Sequence, residues 1–297
     1  DCTDRHERYF LRLISKNVLL YTEMIVSEAI DRGDKKKLLS FNLNEKPVAL
    51  QIGGSSPKLL AQASKIGEEF GYDEINLNLG CPSKKVQKNK FGACLIKEPK
   101  IVAECLNEMQ SKTKLPVTVK TRIGYDQVED YEHLHGFINL LKSTGVKTFI
   151  IHARKAMLGK FTPKQNLNIP PLKYEMVYKL KEDFKELNII INGGITSEEQ
   201  IKNHIKKVDG VMMGRAIYHS PYLLADIEKE IFKNEHVPSR QEVVEKLVAY
   251  LKNEIKKGTR VNQVMRHTLG LFHGQTGSNF WKRYLSENMC VRDADIQ

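Results

Sequence analysis

The sequence predicts an α/β protein, a (β/α)8 TIM barrel followed by a small C-terminal helical domain. Three observations lead there. Short apolar runs alternate with amphipathic helix patterns from residue 18 to residue 213, and continuous apolar strands separated by helices make a parallel sheet. Polar residues stand at the carboxyl ends of nearly every run, which is where such a barrel keeps its active site. From about Ser239 onward only helical patterns continue. A doubly wound sheet is the structural alternative, but no G-x-G-x-x-G opens a helix, which counts against it. Seven strands can be counted rather than eight, so the first barrel strand is expected to lie upstream of Asp1 or to be absent, in a chain that begins without Met. The expected division is residues 1–236 for the barrel and 237–297 for the helical tail.

The chain has 297 residues, 41% of them hydrophobic, enough to bury a large core. No apolar stretch approaches the roughly 20 residues that span a bilayer, and no signal peptide precedes the first element, so a cytoplasmic protein without membrane contact is expected. Five cysteines, Cys2, Cys81, Cys94, Cys105 and Cys290, show no C-x-x-C spacing, which argues against a disulfide scaffold and against a zinc site. A net charge of +11 favours a polyanionic partner, nucleic acid above all, although lysine can also simply coat a solvated surface.

A helix bearing Phe10, Leu11 and Ile14 opens the chain, and a strand over 18–21 ends in Thr22-Glu23-Met24. The charged residues 31–37 read as a solvated turn. A buried strand over 47–52 ends in Gln51-Ile52-Gly53-Gly54. Ser56 and Pro57 then start a helix as N-cap and first residue, with Leu59, Ala63, Ile66 and Phe70 on one face. Ile75, Leu77 and Leu79 alternate with Asn76 and Asn78 in a short strand that runs into Gly80-Cys81-Pro82, a turn that stops it and presents a thiol. The helix over 99–109 places Cys105 in the core. A strand over 115–121 follows, then a helix with Leu134, Phe137, Ile138 and Leu141, and a strand over 147–151. Residues 155–171 form a connection longer than most in a compact domain, which marks it as functional. Next come a helix over 174–184 and a strand over 188–191 that ends in Asn192-Gly193-Gly194. Thr196 and Glu199 read as a capping box for a helix bearing Ile201 and Ile205. A strand over 210–213 runs into Gly214-Arg215. In the tail, Val244, Leu247, Val248, Leu251 and Ile255 mark one helix, and Val261, Met265, Leu269 and Phe272 a second. Its exposed side is read as basic, with Arg260, Arg266, His267, His273, Lys282 and Arg283 around Trp281 and Tyr284. Such a surface can be the outside of a packed bundle or an RNA contact.

The strand ends carry the chemistry. Asn76 and Asn78 share one face, where amides can bond a flat heterocycle. Gly193, Gly194, Gly214 and Arg215, on adjacent strand ends, suggest a phosphate cradle, since glycines let backbone N–H groups approach an anion. Taken singly, Cys81 reads as an inert half-buried cysteine, Lys120 as half of a buried ion pair, and His152 as a satisfied core histidine. Together with Gln51 they line one mouth. A cation there would stabilise an anionic reduced flavin, and an imidazole could bond its carbonyl edge.

These residues also carry a family resemblance. The motifs are Thr3–His6, Leu19–Met24, Gln51–Gly54, Asn76–Ser83, Lys120–Gly124, His152–Ala156, Asn192–Ile195, Met213–Ala216 and Arg283–Ser286. In this order they resemble the flavin-dependent tRNA-dihydrouridine synthases, most of all the A subgroup. The resemblance implies that FMN is held by Gln51, Lys120, His152, Asn192, Gly193, Gly194, Gly214 and Arg215. It implies Cys81 as general acid, Asn78 against the target uracil, and Arg154, Lys164, Lys282 and Arg283 toward tRNA. Hydride would pass from reduced FMN to C6 of a D-loop uridine, at position 20 or 20a, with Cys81 protonating C5 and NADPH as the ultimate reductant. An ordinary thiol titrates at about 8.5 and is a neutral acid at pH 7, which suits that role. A further flavin contact of the family, an Ala-Pro-Met segment, would fall just before Asp1. Two other departures concern RNA: Leu167 and Asn279 stand where the subgroup usually has Arg, leaving Lys164 and Lys282 as basic partners. The rivals are an FMN barrel acting on a free pyrimidine, as dihydroorotate dehydrogenases do, and a non-catalytic tRNA-binding module.

Overall fold

In the computed structural model, which describes residues 2–159 and 161–291, eight short strands form one parallel sheet. Asp1, Lys160 in the long connection and residues 292–297 of the tail lie outside the described residues. The strands are β1 (Leu20–Tyr21), β2 (Ile25–Val26), β3 (Val48–Gly53), β4 (Glu74–Asn78), β5 (Val117–Arg122), β6 (Thr148–His152), β7 (Asn188–Asn192) and β8 (Gly210–Met212). Their order is β1-β3-β4-β5-β6-β7-β8, with β2 also paired to β3. β1 and β2 are two pieces of one barrel strand, since Leu20 pairs with Val48 and Ile25 with Ile52. Thr22 interrupts them: its hydroxyl accepts the Gln51 N–H at 2.9 Å and donates to the Glu23 carbonyl at 2.8 Å. A side chain thereby replaces one rung of the ladder.

Side-chain alternation divides each strand between two environments. Leu50 and Ile75, paired in register, face the helix Pro57–Glu69, where a Cβ on Gly67 would lie 2.8 and 2.6 Å from them. Glycine there lets helix and sheet close together. The next residues, Gln51 and Asn76, turn to the barrel interior. Leu50, Ile52, Ile75, Leu77, Val119, Phe149, Ile151, Ile189 and Ile191 are wholly buried, and Cys105 is core as expected.

Several local expectations shift. Residues 31–37 are largely helical, in Ser27–Arg32 and Lys35–Leu39. Asp34 caps the second by accepting from the Lys37 N–H, and the buried Leu39 anchors it. Ser56 caps its helix and Ala63 and Ile66 are buried as expected, but Leu60 rather than Leu59 joins them and Phe70 is half-buried. Ser197, not Thr196, caps Glu198–His204 by accepting from Gln200 N–H, because the helix starts one residue later. The long connection contains a short helix of its own, Pro163–Asn168.

In the tail, Ser239 and Glu242 form a capping box for Arg240–Lys256, whose buried face is Val243, Leu247, Tyr250 and Leu251. Val244, Val248 and Ile255 sit half-exposed at its border. The second pattern stops at Met265, a 3-10 turn Arg266–Thr268 follows, and a further helix spans Ser278–Asn288. His267 is buried, not part of an exposed basic side, and its Nε2 pairs with the Asp4 carboxylate at 3.0 Å. Trp281 is half-buried, donating to the Thr268 carbonyl and packing on Phe272. The N-terminal helix Arg5–Ile14 is the seam between tail and barrel: Tyr9 stacks on Tyr250 with ring centroids 3.8 Å apart, His6 bonds Tyr250, and Arg5 pairs with Glu254. Among the described residues no helix is long and apolar enough to cross a membrane.

Candidate active site

The ends of β4 to β8 and the segments after them enclose a cavity of about 960 Å³. Nine of the expected residues line it: Asn78, Cys81, Lys120, His152, Asn192, Gly193, Gly194, Gly214 and Arg215. Gln51 lies beneath Asn78 rather than on the wall. Arg154, Lys164, Lys282 and Arg283 are not on the wall; Lys164 and Arg283 are exposed, and Arg154 and Lys282 are half-buried.

Cys81 is half-buried on a loop tied down on both sides. The Asn78 Oδ1 accepts the N–H groups of Gly80 and Cys81 at 3.0 and 2.9 Å. The Cys81 carbonyl accepts from Ala93 N–H at 3.0 Å, and the Gly80 carbonyl accepts from Arg122 Nε at 2.9 Å. Gly92 has φ of +72°, and a Cβ there would lie 2.7 Å from the Cys81 carbonyl oxygen, so glycine is required for this approach. Arg122 also donates to the carbonyls of Lys155 and Asn166, linking the thiol's loop to the long connection.

Behind the loop a chain of side-chain hydrogen bonds descends through the barrel. Asn78 Nδ2 donates to Gln51 Oε1 at 2.8 Å, Gln51 Nε2 to Asn76 Oδ1 at 2.9 Å, and Asn76 Nδ2 to Thr118 Oγ1 at 2.8 Å. Thr118 donates to Glu74, which also accepts from Tyr21, both at 2.7 Å. Direction is set at both ends, because Asn78 Oδ1 must accept backbone N–H groups and Glu74 offers acceptors. Asn76, expected beside Asn78 against a heterocycle, is therefore fully buried and engaged within the protein; only Asn78 reaches the cavity.

The inner wall is cationic. Burial, aided by the neighbouring Arg122, lowers the Lys120 ammonium to about 8. Burial together with Arg122 and Lys120 drives His152 down to about 2, so the imidazole is neutral. The Arg154 backbone N–H donates to its Nδ1 at 3.2 Å, which leaves the proton on Nε2 and makes the ring a donor there. At the other end Gly193 and Gly194 have φ of +118° and +71°, and a Cβ on Gly193 would press on Leu172 and the His152 ring at 3.0 and 3.2 Å. A Cβ on Gly214 would meet nothing within 4 Å. Arg215 is positioned by donation to Asn168 Oδ1 at 2.7 Å and to the Leu167 carbonyl at 3.2 Å. Asn192 Nδ2 donates to the Met212 carbonyl. A neutral donor and a cation at one end, with open glycine backbone and an arginine at the other, fit a polar ring carrying a phosphate.

Some participants were not anticipated from the sequence. Arg122 stood within a recognised motif, but its bonds to Gly80 and Asn166 depend on contacts 42 and 44 residues away. Arg240 and His273, from the tail, reach the cavity wall; nothing local to them signals it.

Comparison with known proteins bears on the fold and the family. Morphinone reductase superposes with a TM-score of 0.54 at 10% identity, covering 81% of this chain and 85% of that one. A 2-naphthoyl-CoA reductase gives 0.55 at 12%, over 76% and 47%. These show the barrel fold. The sequence is 51% identical to a tRNA-dihydrouridine(20/20a) synthase of Synechocystis over 99% of this chain and 88% of that protein. It is 50% identical to the Escherichia coli K12 protein of the same name over 100% and 86%. The family model for dihydrouridine synthases matches residues 1–297, and the chain belongs to the dihydrouridine synthase family.

Proposed function

We propose that this protein reduces a D-loop uridine of tRNA, at position 20 or 20a, to 5,6-dihydrouridine in the cytoplasm, with FMN as resident flavin and NADPH as reductant. The observation that carries this reading is the single wall that joins Cys81 to Lys120 and neutral His152 in a chain whose relatives bear that name. Lys120, His152 and Asn192 would hold the flavin ring, with Gln51 below it, and Gly193, Gly194, Gly214 and Arg215 the phosphate. When bound, the flavin supplies the hydride.

Cys81 donates the proton to C5 of the uracil, its thiol held in place through the loop's backbone bonds. Asn78 sits where it can face the base while its own oxygen fixes the Cys81 N–H. Lys84, Lys85, Lys88 and Lys90 follow the thiol directly, are exposed, and have no ion pair among the described residues. They offer phosphate contacts to a tRNA whose target base must leave its stack, which costs a few kcal/mol. Lys282 and Arg283 of the tail would add tRNA contacts, as would Arg154 just before the long connection and Lys164 within it.

The test is an anaerobic spectrum of the purified protein. Flavin bands that bleach with NADPH and return on adding undermodified tRNA, with dihydrouridine found by mass spectrometry of the digested RNA, are expected. Reoxidation by free uracil or orotate as rapid as by tRNA would overturn the assignment.

A further inference from the structure

The cavity does not end at the strand ends. Past Arg215 its lining continues from Tyr222 and Asp226 of the barrel to Arg240 and His273 of the tail. Arg240 is held rigidly: its Nε donates to the Leu271 carbonyl at 2.9 Å and its guanidinium lies 3.7 Å over the Tyr222 ring. Tyr222 is itself fixed by donating to the Pro238 carbonyl at 2.8 Å. One nitrogen and one face of Arg240 are thus used. Its two terminal nitrogens, the Asp226 carboxylate and the His273 ring make no hydrogen bond or ion pair among the described residues.

We infer that this arm of the cavity binds the nucleotide adjacent to the reacting uridine, with a phosphodiester on Arg240 and His273 and a hydroxyl or base N–H on Asp226. A pre-oriented guanidinium fork matches the oxygens of a phosphate, and stacking on Tyr222 removes the freedom it would otherwise lose on binding. The Asp226 carboxylate in the same lining, near enough for the Arg240 charge to act on it, disfavours a ligand that is only an anion and favours one that also donates. A ribonucleotide offers both, through its phosphate and its 2′-hydroxyl. A base flipped toward Cys81 also draws its covalent neighbour along, whereas the flavin phosphate is already provided for at Gly193 and Gly214. The inference rests on the tRNA reaction proposed above.

The holoenzyme variants Arg240→Ala, Arg240→Lys and His273→Ala test it, the last removing a ring that makes no hydrogen bond among the described residues. For each, KM and kcat with undermodified tRNA, the salt dependence of tRNA binding, and flavin reduction by NADPH are measured. Arg240→Ala is expected to raise KM for tRNA roughly tenfold, with kcat changing less, and to flatten the log–log salt slope by about 0.7 to 0.9. Arg240→Lys should restore the slope but not the whole affinity, and His273→Ala should raise KM about threefold. Unchanged KM and slope in Arg240→Ala and His273→Ala would overturn the arm's assignment. Slower flavin reduction at unchanged tRNA KM would overturn it too, handing the arm to the nicotinamide reductant. Parent enzyme that forms no dihydrouridine would instead overturn the reaction and the arm together, a failure visible before any variant is made.

Discussion

The two walls of the cavity are built in opposite ways. On the barrel side the Gly80-Cys81 segment has both N–H groups and both carbonyls bonded, and an ordered chain of amides stands behind it. On the tail side, among the described residues, the Arg240 side chain has one hydrogen bond and the His273 ring none; elsewhere on the tail, off the cavity, Phe280 and Tyr284 are exposed at 63% and 49%. The difference follows from the tasks. Proton transfer needs a donor within hydrogen-bond reach of one carbon, and small misplacements are costly. Holding a folded RNA needs charge and surface that can adapt, with affinity spread over many weak contacts.

If that contrast is right, substitutions on the barrel side should damage turnover and those on the tail side should damage affinity. The largest effect is expected from Cys81→Ala, which should keep its flavin and its reduction by NADPH but lose about 10²–10⁴-fold in dihydrouridine formation, the usual range for a lost general acid. Single-turnover reoxidation by tRNA reads this directly. Asn78→Ala should follow, cutting kcat by roughly tenfold to a hundredfold with a smaller change in KM, since it unties the Gly80 and Cys81 N–H groups. Equal losses in both constants would weaken the idea that the amide aims the thiol.

Lys120 sharpens the comparison through stability. Its ammonium, lowered from 10.5 to about 8, is bound more weakly by a proton in the folded state than in the unfolded one. Stability should therefore rise with pH between about 8 and 10.5 on account of this group. Lys120→Met should abolish that rise and stabilise flavin-free protein at pH 7 by about 1–3 kcal/mol, while weakening flavin retention. Urea titrations at pH 7 and 10 compare the two; a destabilised Lys120→Met protein at pH 7 would contradict it. The smallest effect belongs to Arg283→Ala in the tail, a twofold to fivefold rise in KM for tRNA, with the salt slope reduced by roughly one contact and kcat unaltered.

What could be read from the sequence was what neighbours in the chain decide. The strand into Gly80-Cys81-Pro82, the Ser56-Pro57 helix start, the Ser239 break and the polar strand ends all rest on residues a few positions apart. The charge of residues 31–37 misled, because Asp34 uses its carboxylate as a cap and Leu39 goes to the core. The tail stripe was one residue out because Tyr250, amphipathic in composition, is buried by stacking on Tyr9, whose position 241 residues earlier no local pattern conveys. Asn76 shows the limit most clearly. Its alternation with Ile75 and Leu77 gave the face correctly, but whether it met a ligand or Gln51 and Thr118 depended on strand register.

The amide chain from Asn78 to Glu74 has a consequence for how such a sequence can drift. Each member is a donor toward the carboxylate and an acceptor toward the thiol, so the chain has a polarity. Replacing Asn76 by Asp would remove a donor and set two oxygens against each other, and the disturbance would be passed upward to the backbone of Cys81. Replacing Glu74 by Gln would introduce a competing donor at the foot and blur the direction of all that lies above. Tyr21, Gln51, Glu74, Asn76, Asn78 and Thr118 should therefore change in compensating sets or not at all. Residues 60 positions apart from the thiol or buried at the barrel's opposite end are then inherited as one unit with it.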